Sequence, residues 1–205
     1  MDLLHDGPAD SPRVLILAHG AGAPMDSALL TRIAQGIAER GTQVVRFEFP
    51  YMAARRTGGG RRPPDPQPVL HRAWREAFAT LSTEKTVFIG GHSMGGRMAS
   101  MVADELKPTG LLCVSYPWHP PDAPLKTRVE HLKDLRTPTL MLCGTRDTFG
   151  SPDEVAGYPL SPAIKVRWLE GADHSLKAAA RSGRKTAQNV DDCITAMDQF
   201  MRGIS

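Results

Sequence analysis

Cysteine and aromatic residues are scarce in this chain, and neither sign of charge dominates it. Only three cysteines, Cys113, Cys143 and Cys193, occur among 205 residues, and their spacing is not that of a metal site. We expect buried, reduced thiols. The net charge of +3 is too small to indicate nucleic-acid binding. No apolar run approaches the ~18 residues of a membrane-spanning helix, so no membrane association is predicted.

The amino-terminal segment also lacks a targeting signal. Met1 to Pro12 is polar and acidic, without an apolar stretch behind a basic start, so it is not typical of a secretory leader. The reduced thiols expected above predict a cytoplasmic location. Apolar residues make up 41% and charged residues 23%, as in ordinary globular proteins. This composition and length predict one domain over residues 1–205.

Six short apolar runs have the length and continuity of strands buried on both faces of a sheet. They are Val14 to Ala18, Gln43 to Phe47, Thr86 to Ile89, Leu111 to Val114, Thr139 to Cys143 and Ile164 to Leu169. Helical patterns alternate with them, which predicts a three-layer α/β/α sandwich around a mostly parallel sheet of about six strands.

Five helices are predicted between these strands, each from an apolar face or a cap. The first is capped by Asp26 or Ser27, runs to Arg40 and stops at Gly41. The second has an apolar face from Leu70 to Leu81, and the third covers Arg97 to Ala103. The fourth is marked by Leu125, Val129, Leu132 and Leu135, and the last, after the final strand, by Val190, Ile194, Met197 and Met201.

The most informative motif is Gly91-His92-Ser93-Met94-Gly95. It follows an apolar run and leads into a helix-prone segment, which places Ser93 on a tight turn between strand and helix. This context is typical of a nucleophile elbow, where the serine hydroxyl projects beyond the sheet. An ordinary turn serine is the alternative.

Two further polar residues follow predicted strands at the same edge of the sheet. Asp147 comes after the strand that ends at Cys143, and His174 comes after the strand that ends near Leu169. Working groups of open parallel sheets lie beyond the carboxyl ends of the strands, and the order Ser, Asp, His is the order of this architecture. Asp153 and Asp173 are the competing acids.

These residues lead to a family resemblance that covers nearly the whole chain from Val14 onward. The chain resembles the α/β-hydrolase superfamily. Within it, the chain looks most similar to small bacterial serine hydrolases related to a testis-expressed mammalian protein and to a subunit of a histone-acetyltransferase complex. The motifs that carry this likeness are His19 to Asp26, Phe49 to Met52, Gly91 to Arg97 and Ala172 to Ser175.

The predicted chemistry follows from the weak nucleophilicity of a serine hydroxyl. Ser93 needs a neutral imidazole to accept its proton, for which His174 is the candidate, and Asp147 is the candidate for orienting that ring. The oxyanion of the tetrahedral intermediate needs preorganised donors. By position these are the backbone N–H groups of Met94 and of Ala21 or Gly22.

Substrate-lining residues are harder to predict. His119, in a proline-rich segment after the fourth predicted strand, either lines the acyl pocket or lies in a rigid surface loop. Two basic stretches either rim the cleft and attract an anionic substrate or are solvated loops. They are Arg55, Arg56, Arg61 and Arg62, and Lys177, Arg181, Arg184 and Lys185. His19 and His92 are interpreted as residues that stabilise turns, with proton transfer as the alternative.

Nucleotide binding is not indicated. Gly20-Ala21-Gly22 follows a strand as in a dinucleotide fingerprint, but Met25 stands at the third glycine position, and Glu48 lies 26 residues beyond Gly22. The span from Val114 to Leu135 is too short for a cap domain, so little or no lid is expected.

We therefore expect a serine hydrolase that cleaves a small-molecule carboxylic ester or thioester through an acyl-enzyme, without metal or organic cofactor. Peptidase and perhydrolase activity stay open. The alternative from another class is a non-catalytic interaction scaffold on the same fold. The oligomeric state is not predicted.

Overall fold

A computed structural model of the protein describes residues 1–58, 60, 62–81 and 85–204. Their strands form one sheet in the order β1-β3-β2-β4-β5-β6-β7. The strands are β1 (Leu3–Asp6), β2 (Arg13–Ala18), β3 (Gln43–Phe47), β4 (Thr86–His92), β5 (Gly110–Val114), β6 (Thr139–Gly144) and β7 (Ile164–Leu169). All neighbouring pairs are parallel except β1 with β3. The mostly parallel sheet is confirmed.

The prediction of six strands misses the edge strand β1. This segment is short and lacks an apolar run, so its own sequence gives little sign of a strand. It is held by antiparallel pairing in which Leu3 lies opposite Phe47, and by an ion pair at 2.9 Å between Asp6 Oδ2 and the buried guanidinium of Arg46. Long-range partners therefore determine β1.

The described residues include six α-helices. They are α1 (Ala28–Ala38), α2 (Pro50–Arg56), α3 (Gln67–Ala79), α4 (Met94–Leu106), α5 (Pro152–Ala156) and α6 (Thr186–Gly203). Helices α1 and α6 pack together against one sheet face, and α3 and α4 pack together against the other. This arrangement confirms the three-layer α/β/α sandwich.

The fourth predicted helix is wrong. Residues 125–135 contain only a 3₁₀ turn at Glu130–Leu132, and the Leu125 side chain is 95% exposed. Prolines at positions 120, 121 and 124 remove backbone donors just before the apolar repeat, which hinders helix formation there. Helices α2 and α5, which were not predicted, are short and begin at Pro50 and Pro152, at the position where proline is compatible with a helix.

The sheet separates two apolar cores. Along β2, Ile16 and Ala18 belong to the core beneath α3 and α4, whereas Leu15 and Leu17 belong to the core beneath α1 and α6. This alternation follows from the two-residue period of a strand, and it explains why a strand buried on both faces has a continuous apolar sequence.

Several expectations from composition can be compared with the fold. All three cysteines are buried and free, as predicted. The connection between β5 and β6, residues 115–138, holds the 3₁₀ turn and otherwise irregular backbone, so it forms no cap domain. Among the described residues, none of the helices has both the length and the apolarity needed to cross a bilayer.

Candidate active site

Ser93 lies on a strained turn between β4 and α4. Its φ of 53° and ψ of −119° are unusual for a residue with a side chain. Neighbouring backbone approaches the turn so closely that a Cβ on Gly91 would lie 2.7 Å from Ala18 O, and a Cβ on Gly95 would lie 2.6 Å from His19 O. The backbone strain is therefore at Ser93 itself. Glycine is required at positions 91 and 95 because a side chain there would collide with the neighbouring backbone.

Three side chains from distant parts of the sequence form a hydrogen-bonded chain at this turn. Ser93 Oγ lies 2.8 Å from His174 Nε2, and His174 Nδ1 lies 2.8 Å from Asp147 Oδ2. The exposed fraction is 20% for the His174 side chain and 1% for the Asp147 side chain. The structure thus brings together Ser93, Asp147 and His174 in a geometry that can carry a proton from the hydroxyl to the imidazole.

The surroundings of Asp147 define which imidazole nitrogen carries the proton. Asp147 Oδ1 accepts a hydrogen bond from the Phe149 backbone N–H at 2.9 Å, which leaves Oδ2 for His174. An ionised carboxylate can only accept. His174 Nδ1 is therefore the donor, and Nε2 is free to accept from Ser93.

Phe149 is a site residue that the sequence did not reveal. Its ring stacks on the His174 imidazole with centroids 4.1 Å apart and an interplanar angle of 27°. It restricts the rotation of the imidazole and covers one of its faces. Only its position two residues after Asp147 could have suggested this role.

The competing acids lie elsewhere. Asp153 is exposed on α5. Asp173 Oδ1 accepts hydrogen bonds from the backbone N–H groups of Ser175 at 2.8 Å and Lys177 at 2.9 Å, so it shapes the loop around His174.

Two further histidines support the loops of the site. The ring of His92 makes a hydrogen bond of 2.9 Å from Nε2 to the backbone oxygen of His174, and burial lowers the pKa of His92 to about 4. His19 Nε2 accepts from the Phe49 N–H at 3.1 Å, while its Nδ1 donates to Gly20 O at 2.7 Å. Burial also lowers the pKa of His19, so both rings are neutral supports at neutral pH.

A cavity of about 330 Å³ opens beside Ser93. It is lined by Ala21, Pro64, Asp65, Gln67, Leu70, Ser93, Met94, Arg97, Met98, Pro117, Arg128 and Phe149. Two of the three oxyanion candidates, Met94 and Ala21, therefore border the space in front of the serine. Gly22 is not among its described lining residues.

The loop that carries Ala21 is held by a hydrogen bond to its backbone oxygen. The Tyr51 hydroxyl donates to Ala21 O at 3.0 Å and so holds the loop after β2 in place. Within the described part of the chain, the N–H groups of Met94 and Ala21 make no backbone hydrogen bond. Both donors are thus available to a ligand in the cavity.

The structure does not place the predicted substrate-lining residues in this cavity. His119 is buried, with its ring Nδ1 2.8 Å from Pro120 O and its Nε2 3.4 Å from Glu154 Oε1. It packs within the folded loop after β5, because Trp118 and the prolines turn the segment back onto the body of the protein.

The arginines after β3 are also engaged elsewhere. Arg56 pairs with Glu48 at 2.6 Å and with Asp26 at 2.8 Å. Arg55 lies over the Tyr51 ring, 5.2 Å from its centroid, and donates to the backbone oxygen of Arg62. Neither residue is among the described residues that line the cavity beside Ser93. Arg61 lies outside the described residues.

The second basic stretch is divided between two environments. Arg184 forms an ion pair with Asp192 and a hydrogen bond of 2.9 Å to Asn189 Oδ1. Lys177 lines a separate cavity of about 430 Å³ between the site loops, α1 and α6, which also includes His92 but not Ser93. Within the described ranges, no group of three or more His, Cys, Asp or Glu side chains could hold a metal ion.

Comparison with known proteins agrees with this fold. A family model described as Alpha/beta hydrolase domain matches residues 11–202. The protein belongs to this family, and its fold is an α/β-hydrolase fold with little or no lid.

Solved structures of low sequence identity share the fold. XC6422 from Xanthomonas campestris, described as an a/b serine hydrolase without lid, is 21% identical with a TM-score of 0.72, over 98% of this chain and 88% of that one. Est1E from Butyrivibrio proteoclasticus is 13% identical with a TM-score of 0.68, over 98% and 94%. A serine hydrolase homologue from Coxiella burnetii is 16% identical with a TM-score of 0.68, over 99% and 91%.

Proposed function

We propose that the protein is a serine hydrolase that cleaves a carboxylic ester or thioester through an acyl-enzyme. The observation that carries the proposal is the continuous chain from Ser93 through His174 to Asp147, with both hydrogen bonds at 2.8 Å. The esterase and serine hydrolase descriptions of several proteins of similar fold support the same reaction class. The narrower subfamily likeness and the cytoplasmic location stay predictions.

In the proposed reaction, Ser93 Oγ bonds to the substrate carbonyl carbon while its proton passes to His174 Nε2. Asp147 stabilises the resulting imidazolium through Nδ1–H. The N–H groups of Met94 and of Ala21 or Gly22 donate to the carbonyl oxygen as it becomes negative. His174 then protonates the leaving alcohol or thiol, and a water molecule activated by the same ring hydrolyses the acyl-enzyme.

The stacking of Phe149 on His174 and the burial of Asp147 support this mechanism physically. A side chain that must accept and return a proton in one turnover has to keep its orientation. The Phe149 ring and the buried Asp147 carboxylate hold the His174 imidazole in that orientation. The near absence of a lid leaves the cleft open, which favours small substrates or extended ones that project into solvent.

A fluorophosphonate probe tests the proposal, since it phosphonylates only an activated serine. We expect wild-type protein to be labelled and Ser93→Ala to be unlabelled. Ser27→Ala is the matched control, because the Ser27 hydroxyl makes no capping hydrogen bond at α1. A folded wild-type protein that resists the probe, or equal labelling of Ser93→Ala, would support the non-catalytic scaffold instead.

A graded set of p-nitrophenyl esters and acyl-thioesters then separates the two substrate classes. We expect turnover of short acyl groups, because the cavity volume is at the lower end of the range of ligand pockets.

A further inference from the structure

Two arginines share the cavity of Ser93, and neither was expected there. Arg97 lies one helical turn after the serine, and its backbone N–H donates to Ser93 O at 3.0 Å. Arg128 comes from the irregular segment after β5. Both residues line the cavity that contains Ser93, Met94 and Phe149.

In the part of the chain that the structure describes, neither guanidinium has a carboxylate partner. Among the described residues, no ion pair involves Arg97 or Arg128, whereas Arg46, Arg56, Arg75 and Arg184 all have carboxylate partners. The Arg97 Nε is buried without a hydrogen-bond partner. A buried donor without a partner is unfavourable, and a ligand that accepts a hydrogen bond would remove that penalty.

The nearby carboxylates do not change this conclusion. Asp65 lines the same cavity, where its Oδ2 accepts from the Tyr51 N–H at 2.8 Å, and among the described residues no ion pair joins it to Arg97 or Arg128. Arg97 and Arg128 also line an adjoining cavity of about 500 Å³, which Glu130 and Asp134 border, and Glu130 is paired with Lys133. Burial and the neighbouring positive charge of Arg97 lower the pKa of Arg128, as expected for two cations without a counterion between them.

The two arginines are held in place by the surrounding backbone. The Arg128 N–H donates to Trp118 O at 2.7 Å, and the buried Tyr116 hydroxyl donates to Arg128 O at 2.8 Å. Ser100 Oγ donates to Arg97 O at 2.8 Å. These bonds fix the main chain at both arginines, and Arg128 Nη1 lies 3.5 Å from Pro117 O. Folding therefore meets the cost of bringing the two like charges into one region.

We propose that Arg97 and Arg128 form an anion subsite beside Ser93, and that the substrate is a short ester or thioester bearing a carboxylate or phosphate. Guanidinium groups suit such groups because their N–H donors match the geometry of the oxygens. This inference rests on the proposed function. It replaces Arg55 and Arg56, which are not among the described residues that line the cavity of Ser93, as the source of anion selectivity.

The test compares three p-nitrophenyl esters of similar length: the pentanoate, which is neutral, the hydrogen glutarate, which carries a carboxylate, and the 4-phosphonobutanoate, which stands in for a phosphate. The rate of uncatalysed hydrolysis is subtracted for each ester, because the carboxylate of the hydrogen glutarate accelerates the spontaneous hydrolysis of its own ester bond. We expect kcat/KM for at least one anionic ester to exceed that for the pentanoate by roughly tenfold, the effect of a charge-assisted hydrogen bond, and to fall with added salt. The better anionic ester identifies the group.

The ratio of anionic to neutral kcat/KM is then measured for variants. We expect it to fall about tenfold in Arg97→Gln and in Arg128→Gln, and less in Arg97→Lys, which keeps the charge. Arg72→Gln, on the exposed surface of α3, is the matched control and should keep the wild-type ratio. Equal kcat/KM of wild-type protein for all three esters, or a ratio that Arg97→Gln and Arg128→Gln leave unaltered, overturns the subsite.

A binding measurement separates failure of the subsite from failure of the proposed function. In Ser93→Ala, which cannot form an acyl-enzyme, monomethyl glutarate should bind more tightly than methyl pentanoate by calorimetric titration, and Arg128→Gln should abolish the difference. Ester turnover without this difference refutes the subsite alone. Anion binding without any turnover or probe labelling refutes the hydrolase and leaves the subsite standing.

Discussion

Replacement of Asp147 by asparagine removes one charge and keeps the shape of the side chain. Asp147 accepts two hydrogen bonds, from the Phe149 N–H at 2.9 Å and from His174 Nδ1 at 2.8 Å. An asparagine has one oxygen and one NH₂ group, so it can satisfy only one of these donors.

Each orientation of the new amide has a defined consequence. If its oxygen faces the Phe149 N–H, its NH₂ faces His174 Nδ1, which must then accept, and the imidazole proton moves to Nε2. That nitrogen can no longer accept the proton of Ser93. If the amide is reversed, its NH₂ opposes the Phe149 N–H in a buried position, which costs about 1–3 kcal/mol. The unproductive tautomer is therefore favoured.

The expected loss in kcat for Asp147→Asn is about 10⁴-fold, with a smaller change in KM, which corresponds to about 5 kcal/mol of transition-state stabilisation. Steady-state hydrolysis of a p-nitrophenyl ester measures it, and ¹⁵N chemical shifts of the His174 ring report the tautomer. Asp153→Asn, on exposed α5, is the control. Activity of Asp147→Asn within about tenfold of wild type, or an equal loss in Asp153→Asn, refutes the assignment of Asp147.

Two further predictions concern stability. Burial lowers the pKa of His92 to about 4, whereas the unfolded chain has a value near 6.5, so acidification from about pH 6.5 to 4 should remove about 3 kcal/mol of stability through this ring. In urea unfolding, the free energy of unfolding of His92→Gln should fall less between pH 6.5 and 4 than that of the wild type. An identical pH dependence in the two proteins would contradict this account. A Cβ on Gly90 would overlap Leu112 O, whereas one on Gly22 meets nothing within 4 Å. In thermal unfolding, the free energy of unfolding should therefore fall by about 3 kcal/mol or more for Gly90→Ala and by under about 0.5 kcal/mol for Gly22→Ala. Similar losses in both variants would refute the packing argument.

The strands and helices that were predicted correctly have local signatures. The run Gln43 to Phe47 coincides with β3, and the apolar face from Val190 to Met201 lies within α6. The errors occur where local pattern and context disagree. The leucines near residue 125 repeat at helical spacing, but the prolines before them and the exposure of Leu125 leave only a 3₁₀ turn.

The site divides in the same way. Ser93, Asp147 and His174 could be selected because each follows a strand, and parallel strands present their carboxyl ends at one edge. Phe149 could not be selected, since its role is to stack on a ring 25 positions away. The anion subsite could not be located either, because Arg55 and Arg97 look alike as sequence and differ only in whether a carboxylate or backbone acceptor is close.

The amino-acid sequence alone determined the alternation of strands and helices, the turn at Ser93 and the three side chains around it, because these depend on short-range periodicity and on the direction of parallel strands. Tertiary structure alone decided that β1 joins the sheet, that Arg56 is neutralised by Glu48 and Asp26, and that Arg97 and Arg128 line the same cavity as the serine. The physical reason is that charge pairing depends on distances of a few ångströms between segments far apart in the chain, which no local pattern records.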